Sequence, residues 1–222
     1  MSRALVIAID GPSGAGKGTV ARAVAVRLNY RHVDTGAMYR AVAWRALQQG
    51  IDLRDESALA ALAEQATFDL EDGRIFIDGH DVLRAIRTAE IDAAAANVAR
   101  YPAVRRALVA RQRALGAGGG VVMEGRDIGT VVFPDADVKI FLDASPEERA
   151  RRRANDPAHR PSAGAGIADV AVALAERDRI DSTRAESPLA KASDALHVET
   201  TGLSIDSVVD RVMAAVEAAQ RT

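Results

Sequence analysis

The residues best suited to chemistry in this chain are Gly11-Pro12-Ser13-Gly14-Ala15-Gly16-Lys17-Gly18-Thr19. Small residues with a lysine at this spacing let backbone N–H groups close on phosphate oxygens, and a helix starting there adds the positive end of its dipole. Lys17 would direct a full charge at β- and γ-phosphates. The strict pattern has a hydroxyl directly after the lysine; here Gly18 stands there and the hydroxyl follows at Thr19. An ordinary glycine turn would require neither the lysine nor the apolar run before the loop and the helix-like segment after it.

The other candidates are rich in arginine. Arg40 falls in the first turn of an expected helix, close to the end of an expected strand, where it can reach a second anion. A solvated helix arginine fits the same position. In Glu124-Gly125-Arg126-Asp127-Ile128-Gly129-Thr130, two glycines flank an Arg-Asp pair behind a short apolar strand, which points to backbone lying close to a ligand. A surface turn with a local ion pair is the alternative. Between Glu147 and Arg160 there are five arginines and three acids, so the local charge is 5 − 3 = +2. Such a run is usually a solvated face. Beside Asn155 to Gly166, which has two prolines, two glycines and no apolar pattern, it suits a lid closing over a triphosphate. Arg177, Asp181 and Arg184 share one helix face, as a binding constellation or an exposed salt-bridged helix would require.

These side chains need a scaffold, and the hydrophobic patterning describes a parallel α/β one. Ala4 to Ile9 is continuously apolar, as a central parallel strand buried on both faces should be. A helix over Thr19–Leu28, a strand over Tyr30–Val33, a turn or cap at Asp34-Thr35-Gly36 and a helix over Ala37–Gln49 follow, then a helix over Glu56–Ala66. Phe68–Leu70 and Arg74–Asp78 alternate around Glu71-Asp72-Gly73, which predicts an antiparallel hairpin and hence an inserted subdomain. Asp78 to Asp81 reads as a further turn. Thr88 caps a helix to about Arg100, and Pro102 opens one to about Leu115. Strands are expected at Val121–Met123, Val138–Asp143 and Ala195–Glu199. Ser145-Pro146-Glu147-Glu148 is a helix start with cap, first-turn proline and capping box. Helices over Ile167–Ser182 and, capped by Ser204, over Ile205–Ala219 complete a sheet of about five parallel strands.

Composition narrows the chemistry. The chain has 222 residues, 48% hydrophobic and 27% charged, with net charge −2. That is ordinary globular composition, with no global attraction to nucleic acid or an anionic membrane. The absence of cysteine excludes disulfides, thiol catalysis and cysteine-ligated zinc, and the histidines at 32, 80, 159 and 197 lack metal-binding spacing. No apolar stretch approaches the roughly 18 residues needed to span a bilayer. Ala4 to Ile9 is too short for a signal peptide. A cytoplasmic protein, acting as a monomer on small molecules, is expected.

A phosphate loop alone leaves a GTPase switch, an ATPase or a small-molecule kinase open. No Asn-Lys-x-Asp base-recognition motif occurs, which disfavours the switch. The many separate arginines suit two anionic molecules gripped at once. If the acceptor is a phosphate monoester, its second pKa of about 6 leaves the attacking oxygen ionised near pH 7. No general base is then needed, and catalysis reduces to alignment and charge neutralisation by Arg, Lys and Mg2+. A kinase of another acceptor, such as dephospho-coenzyme A, and a non-catalytic nucleotide-binding regulator are the alternatives.

The chain resembles the bacterial cytidylate kinases, which pass the γ-phosphate of ATP to CMP or dCMP. The resemblance runs from about Ala4 to the final helix. It is carried by Ile9 to Thr19, Asp34-Thr35-Gly36-Ala37-Met38-Tyr39-Arg40, Ile86-Arg87-Thr88, Pro102-Ala103-Val104-Arg105, Gly125 to Pro134 and Arg177-Asp178-Arg179-Ile180-Asp181. The Gly18-Thr19 order is also what nucleoside monophosphate kinases show. The resemblance implies a P-loop NTPase-type three-layer fold: a core at about 1–50, 116–150 and 168–222, a monophosphate-binding insert at about 51–115, and a lid at about 151–167. It implies ATP on Gly11 to Thr19 with Arg152 and Arg153 on its phosphates, and Mg2+ held by phosphates and water without protein ligands. It places the CMP phosphate against Thr35, Arg40, Arg126 and Arg184, and the sugar near Arg177 and Asp181. Arg105 and Asp127 would read cytosine, offering donors to its O2 and N3 edge and an acceptor to its amine, which uracil lacks. Lys17, Arg126, Arg152 and Arg184 would act on the transferring group. The family commonly has a serine touching the base where Ala96 stands here, with Asn97 beside it.

Overall fold

The apolar run near the start forms β1 (Val6–Asp10), and its last four residues are buried. It needs cover on both faces because neither side carries a polar alternation. The computed structural model describes residues 4–70, 73–156 and 166–221. After β1 come α1 (Lys17–Leu28) and β2 (Arg31–Asp34), and later β6 (Val121–Gly125), β7 (Val138–Asp143) and β8 (Leu196–Glu199). These strands make one parallel sheet in the order β2-β6-β1-β7-β8. The chain steps from β1 to one side of the sheet, returns through β6, and crosses to β7 on the other. The carboxyl end of β1 is therefore a switch point, where the connections diverge and leave a crevice.

Helix α6 (Pro146–Ala154) follows β7, α7 (Ile167–Thr183) precedes β8, and α8 (Ile205–Gln220) closes the chain. Val208, Val209, Val212 and Val216 of α8 pack with Val20, Ala21 and Val24 of α1 over Ile7, Ile9, Ile140 and Leu142. The caps expected at Ser145 and Ser204 are formed, each hydroxyl accepting from the amide three residues on at 3.2 Å. Glu148 does not close its box; its carboxylate instead accepts from Arg151 and Arg152.

The described chain divides into two compact units: one holds the elements above, the other takes in Thr35–Ala114. The second comprises α2 (Thr35–Gln48), α3 (Glu56–Gln65), β3 (Phe68–Asp69), β4 (Phe76–Ile77), β5 (His80–Asp81), α4 (Ala89–Val98) and most of α5 (Pro102–Gly116). Thr35, expected in a turn, is already helical. Asp78-Gly79, with φ of 50° and 76°, is a two-residue turn with both positions left-handed. Such a turn joins two strands directly, so His80–Asp81 is a third strand and the small sheet is ordered β3-β4-β5. Of the turn expected at Glu71-Asp72-Gly73, Glu71 and Asp72 lie outside the described residues, as does most of the expected lid, 157–165. Among the described residues no helix is long and apolar enough to cross a membrane.

Candidate active site

The phosphate loop leaves β1 and runs into α1, whose first amides have no intrahelical acceptor and are directed out of the helix end. Lys17 opens this helix, 7% exposed, with Nζ donating to the Pro12 carbonyl at 2.8 Å. Burial, and then the Arg126 guanidinium nearby, push its pKa down from 10.5 to about 7. Negative charge placed beside it would favour the ammonium against both influences.

Gly18 answers the question raised by the missing hydroxyl. A Cβ there would lie 3.0 Å from Glu124 Oε1, so the place of a serine or threonine side chain is taken by a carboxylate from β6. The same oxygen lies 3.0 Å from His32 Nε2 on β2, and both side chains are nearly buried. Glu124 opens a stretch the sequence singles out, but its relation to Gly18 and His32 runs across strands and is not visible there.

The segment after β6 is held from β1. Asp10 Oδ1 accepts from the Ile128 amide at 2.8 Å and Oδ2 from the Gly129 amide at 2.7 Å. Burial raises the Asp10 pKa to about 6 despite these two bonds. Residues Ile128–Val132 then form a π-helical turn, with the Val132 amide bonded to the Asp127 carbonyl and the Phe133 amide to that of Ile128. Such turns are rare and concentrate at functional sites. Just ahead of it, Asp127 is 6% exposed.

Arg126 joins three parts of this unit. Its Nε donates to Asp181 Oδ2 at 2.9 Å and its Nη2 to Ser13 Oγ at 2.7 Å. Arg184 Nη1 lies 3.5 Å from Asp181 Oδ1. Burial opposes ionisation of Asp181, yet the charges of Arg126, Arg184 and Arg177 hold its carboxyl below the usual range. Arg152 is anchored in α6, donating to Glu148 and Ala15 and to both the hydroxyl and carbonyl of Thr200. Arg153 is half-buried in the same helix. Ser13, Lys17, Arg126, Asp127, Arg152 and Asp181 are thus neighbours around one loop, with Arg177 and Arg184 joined through Asp181.

Thr35, Arg40 and Arg105 belong to the second unit, and all are buried. Arg40 is not a solvated helix arginine: 8% exposed, its Nε donates to Asp92 Oδ1 of α4 at 3.1 Å. Arg105 is 3% exposed and lies over the Tyr39 ring at 5.4 Å. Burying such groups costs several kcal/mol unless they are paired; Arg40 is paired with Asp92, and Arg105 packs over Tyr39. Ala96 is half-buried and Asn97 exposed on α4.

The model of the cytidylate kinase family matches residues 7–218. The chain belongs to the cytidylate kinase family. The cytidylate kinase of Pelotomaculum thermopropionicum is 50% identical, across 97% of each chain. That of Geobacillus thermodenitrificans is also 50% identical, across 96% of each. A solved shikimate kinase from Bacteroides thetaiotaomicron is 14% identical with a TM-score of 0.51, covering 96% of this chain and 98% of its own. That likeness shows the fold alone, a parallel five-stranded sheet with helices on both faces. Four residues without an assigned role in the sequence make contacts around the loop: Asp10 with the Ile128 and Gly129 amides, Glu124 with His32, and Arg149 and Asp178 with the Ser13 backbone. The only signal for Asp10 and Asp178 was their place inside motifs.

Proposed function

We propose that the protein transfers the γ-phosphate of ATP directly to CMP or dCMP, giving ADP and CDP or dCDP. Membership of the cytidylate kinase family supports the acceptor. The observation that carries the chemistry is Arg126, whose guanidinium bonds both Ser13 of the phosphate loop and Asp181 of α7. One cation bonded to both is suited to neutralising charge shared between a donor and an acceptor phosphate.

ATP binds on Gly11 to Thr19, with Lys17, Arg152 and Arg153 on its phosphates. Thr35, Arg40, Arg126 and Arg184 take the acceptor phosphate, Arg177 and Asp181 the sugar, and Arg105 and Asp127 the cytosine. Residues 51–115 act as the acceptor-binding insert and 151–167 as the lid. The acceptor oxygen is ionised near neutral pH, so no side chain needs to remove a proton. Lys17, Arg126, Arg152 and Arg184 neutralise the transferring group and keep it in line. Mg2+ held by the ATP phosphates would supply further charge neutralisation. Its ligands would be phosphate and water oxygens, the hard donors it prefers, and the Glu124 carboxylate beside Gly18 would accept from that water.

ADP release, followed over CMP, dCMP, UMP, AMP and GMP, tests the proposal. Fastest turnover with CMP or dCMP is expected; fastest turnover with a purine nucleotide, or none with CMP, would overturn it.

A further inference from the structure

Ser13 is held by its backbone as well as its hydroxyl. Its N–H donates to Asp178 Oδ1 on α7 at 3.0 Å, and its carbonyl accepts from Arg149 Nη1 on α6 at 3.1 Å. The same Arg149 Nη1 donates to Asp178 Oδ2, and Arg149 Nε donates to the Ala144 carbonyl. One ion pair therefore satisfies both polar backbone groups of a single loop residue, as a neighbouring strand would. Both side chains are largely buried, 12% and 15% exposed. The next residue is gripped by shape: a Cβ on Gly14 would lie 2.9 Å from the Arg149 carbonyl oxygen, so α6 meets the loop backbone directly.

A negative group beside a phosphate loop ought to weaken anion binding. Asp178 escapes this because Arg149 cancels its charge while leaving its second oxygen for the Ser13 amide. We infer that Arg149 and Asp178 are a positioning pair that fixes the front of the phosphate loop before nucleotide arrives. With Ser13 tied back, the amides of Lys17, Gly18 and Thr19 at the head of α1 remain directed at phosphate. The pair also ties α6, with Arg152 and Arg153, and α7, with Asp181, to the same loop residue. Neither Arg149 nor Asp178 touches the reacting atoms in this scheme; both act through Ser13 and Gly14.

The inference rests on ATP binding at this loop, and a double-mutant cycle separates the two. Direct ATP binding by calorimetry, KM for ATP and for CMP, kcat and Tm are measured for wild type, Arg149→Met, Asp178→Asn and the double variant. Arg149→Met leaves an uncompensated carboxylate on the loop, so KM for ATP should rise about tenfold while KM for CMP changes less than about twofold. Asp178→Asn keeps an oxygen for the Ser13 amide and should cost about threefold. The double variant should bind ATP better than Arg149→Met alone, because the stranded charge is gone. Arg149→Lys, which keeps the charge but not the planar fork, should fall between wild type and Arg149→Met. Additive losses, equal effects on both substrates, or a lowered Tm with unchanged KM for ATP would overturn the inference. No ATP binding by wild type would instead overturn the functional reading beneath it.

Discussion

Two segments leave neighbouring parallel strands at the same level of the sheet, where Asp10 of β1 is in register with Gly125 of β6. They are built in opposite ways. The segment after β1 winds into an α-helix and offers backbone amides, which recognise phosphate on any nucleotide. The segment after β6 winds into a π-helical turn and offers side chains, Arg126 and the buried Asp127. Backbone donors make a general anion site; side chains held at fixed positions can distinguish one base from another. The two are joined through Asp10, which ends β1 and bonds the Ile128 and Gly129 amides. The two segments are therefore tied directly to each other by hydrogen bonds.

The largest effect expected on the general site comes from Lys17→Met. Turnover should fall about 10²–10³-fold, the usual cost of removing a fixed positive charge from a developing phosphate charge. Stability should not fall, because burial already works against the ammonium and brings its pKa to about 7. Steady-state turnover with a thermal melt checks both. A modest loss of turnover, or a collapsed melt, would mean that Lys17 supports the loop instead.

Gly18→Ser restores the strict phosphate-loop pattern and should nonetheless lower kcat/KM by roughly tenfold, an ordinary cost of overpacking. Its Cβ would come within 3.0 Å of Glu124 Oε1. Kinetics of the single variant and of Gly18→Ser combined with Glu124→Ala check this. A gain from the serine would show that Glu124 does not fill the hydroxyl's place.

An effect of similar size per pH unit is set by pH. In the free protein Lys17 loses its proton near pH 7, whereas bound polyphosphate favours the charged form. Above about pH 7 binding must therefore take up a proton, and ATP affinity should fall by up to tenfold per pH unit toward pH 9. The sign for folding follows from the same shift. The unfolded chain binds more protons at this lysine between about pH 7 and 10.5, so its contribution to stability rises with pH across that window. Calorimetry in buffers of different ionisation enthalpy measures the proton uptake, and Lys17→Arg should abolish it. Zero uptake by wild type at pH 8 would contradict the depressed lysine.

The order of strands and helices was legible because it rests on local signals. These include the apolar run of β1, Pro102 and Pro146 at helix starts, and Thr88 and Ser204 at caps. His80–Asp81 was misread because Asp78-Gly79 looks the same in a loose turn as between two strands; pairing of β4 with β5 decides it. The π-helical turn was not legible, since it depends on Asp10 accepting from residues 118 and 119 positions away. Arg40 shows the same limit. Its position fits a solvated arginine equally well until Asp92 of α4 packs beside it. Arg149 was visible only as one of several arginines in a charged run, while its partner at Ser13 lies 136 positions away.

The central claim is that the loop after β1 binds nucleotide in general while Asp127, in the segment after β6, takes part in choosing the base. Asp127→Ala tests it most directly, with kcat/KM measured for CMP and for UMP alongside KM for ATP. The CMP preference should shrink by about tenfold or more with KM for ATP near wild type, because a carboxylate acceptor for the cytosine amine is lost. Equal losses for CMP and UMP, or a matching rise in KM for ATP, would contradict the division of labour between the two segments.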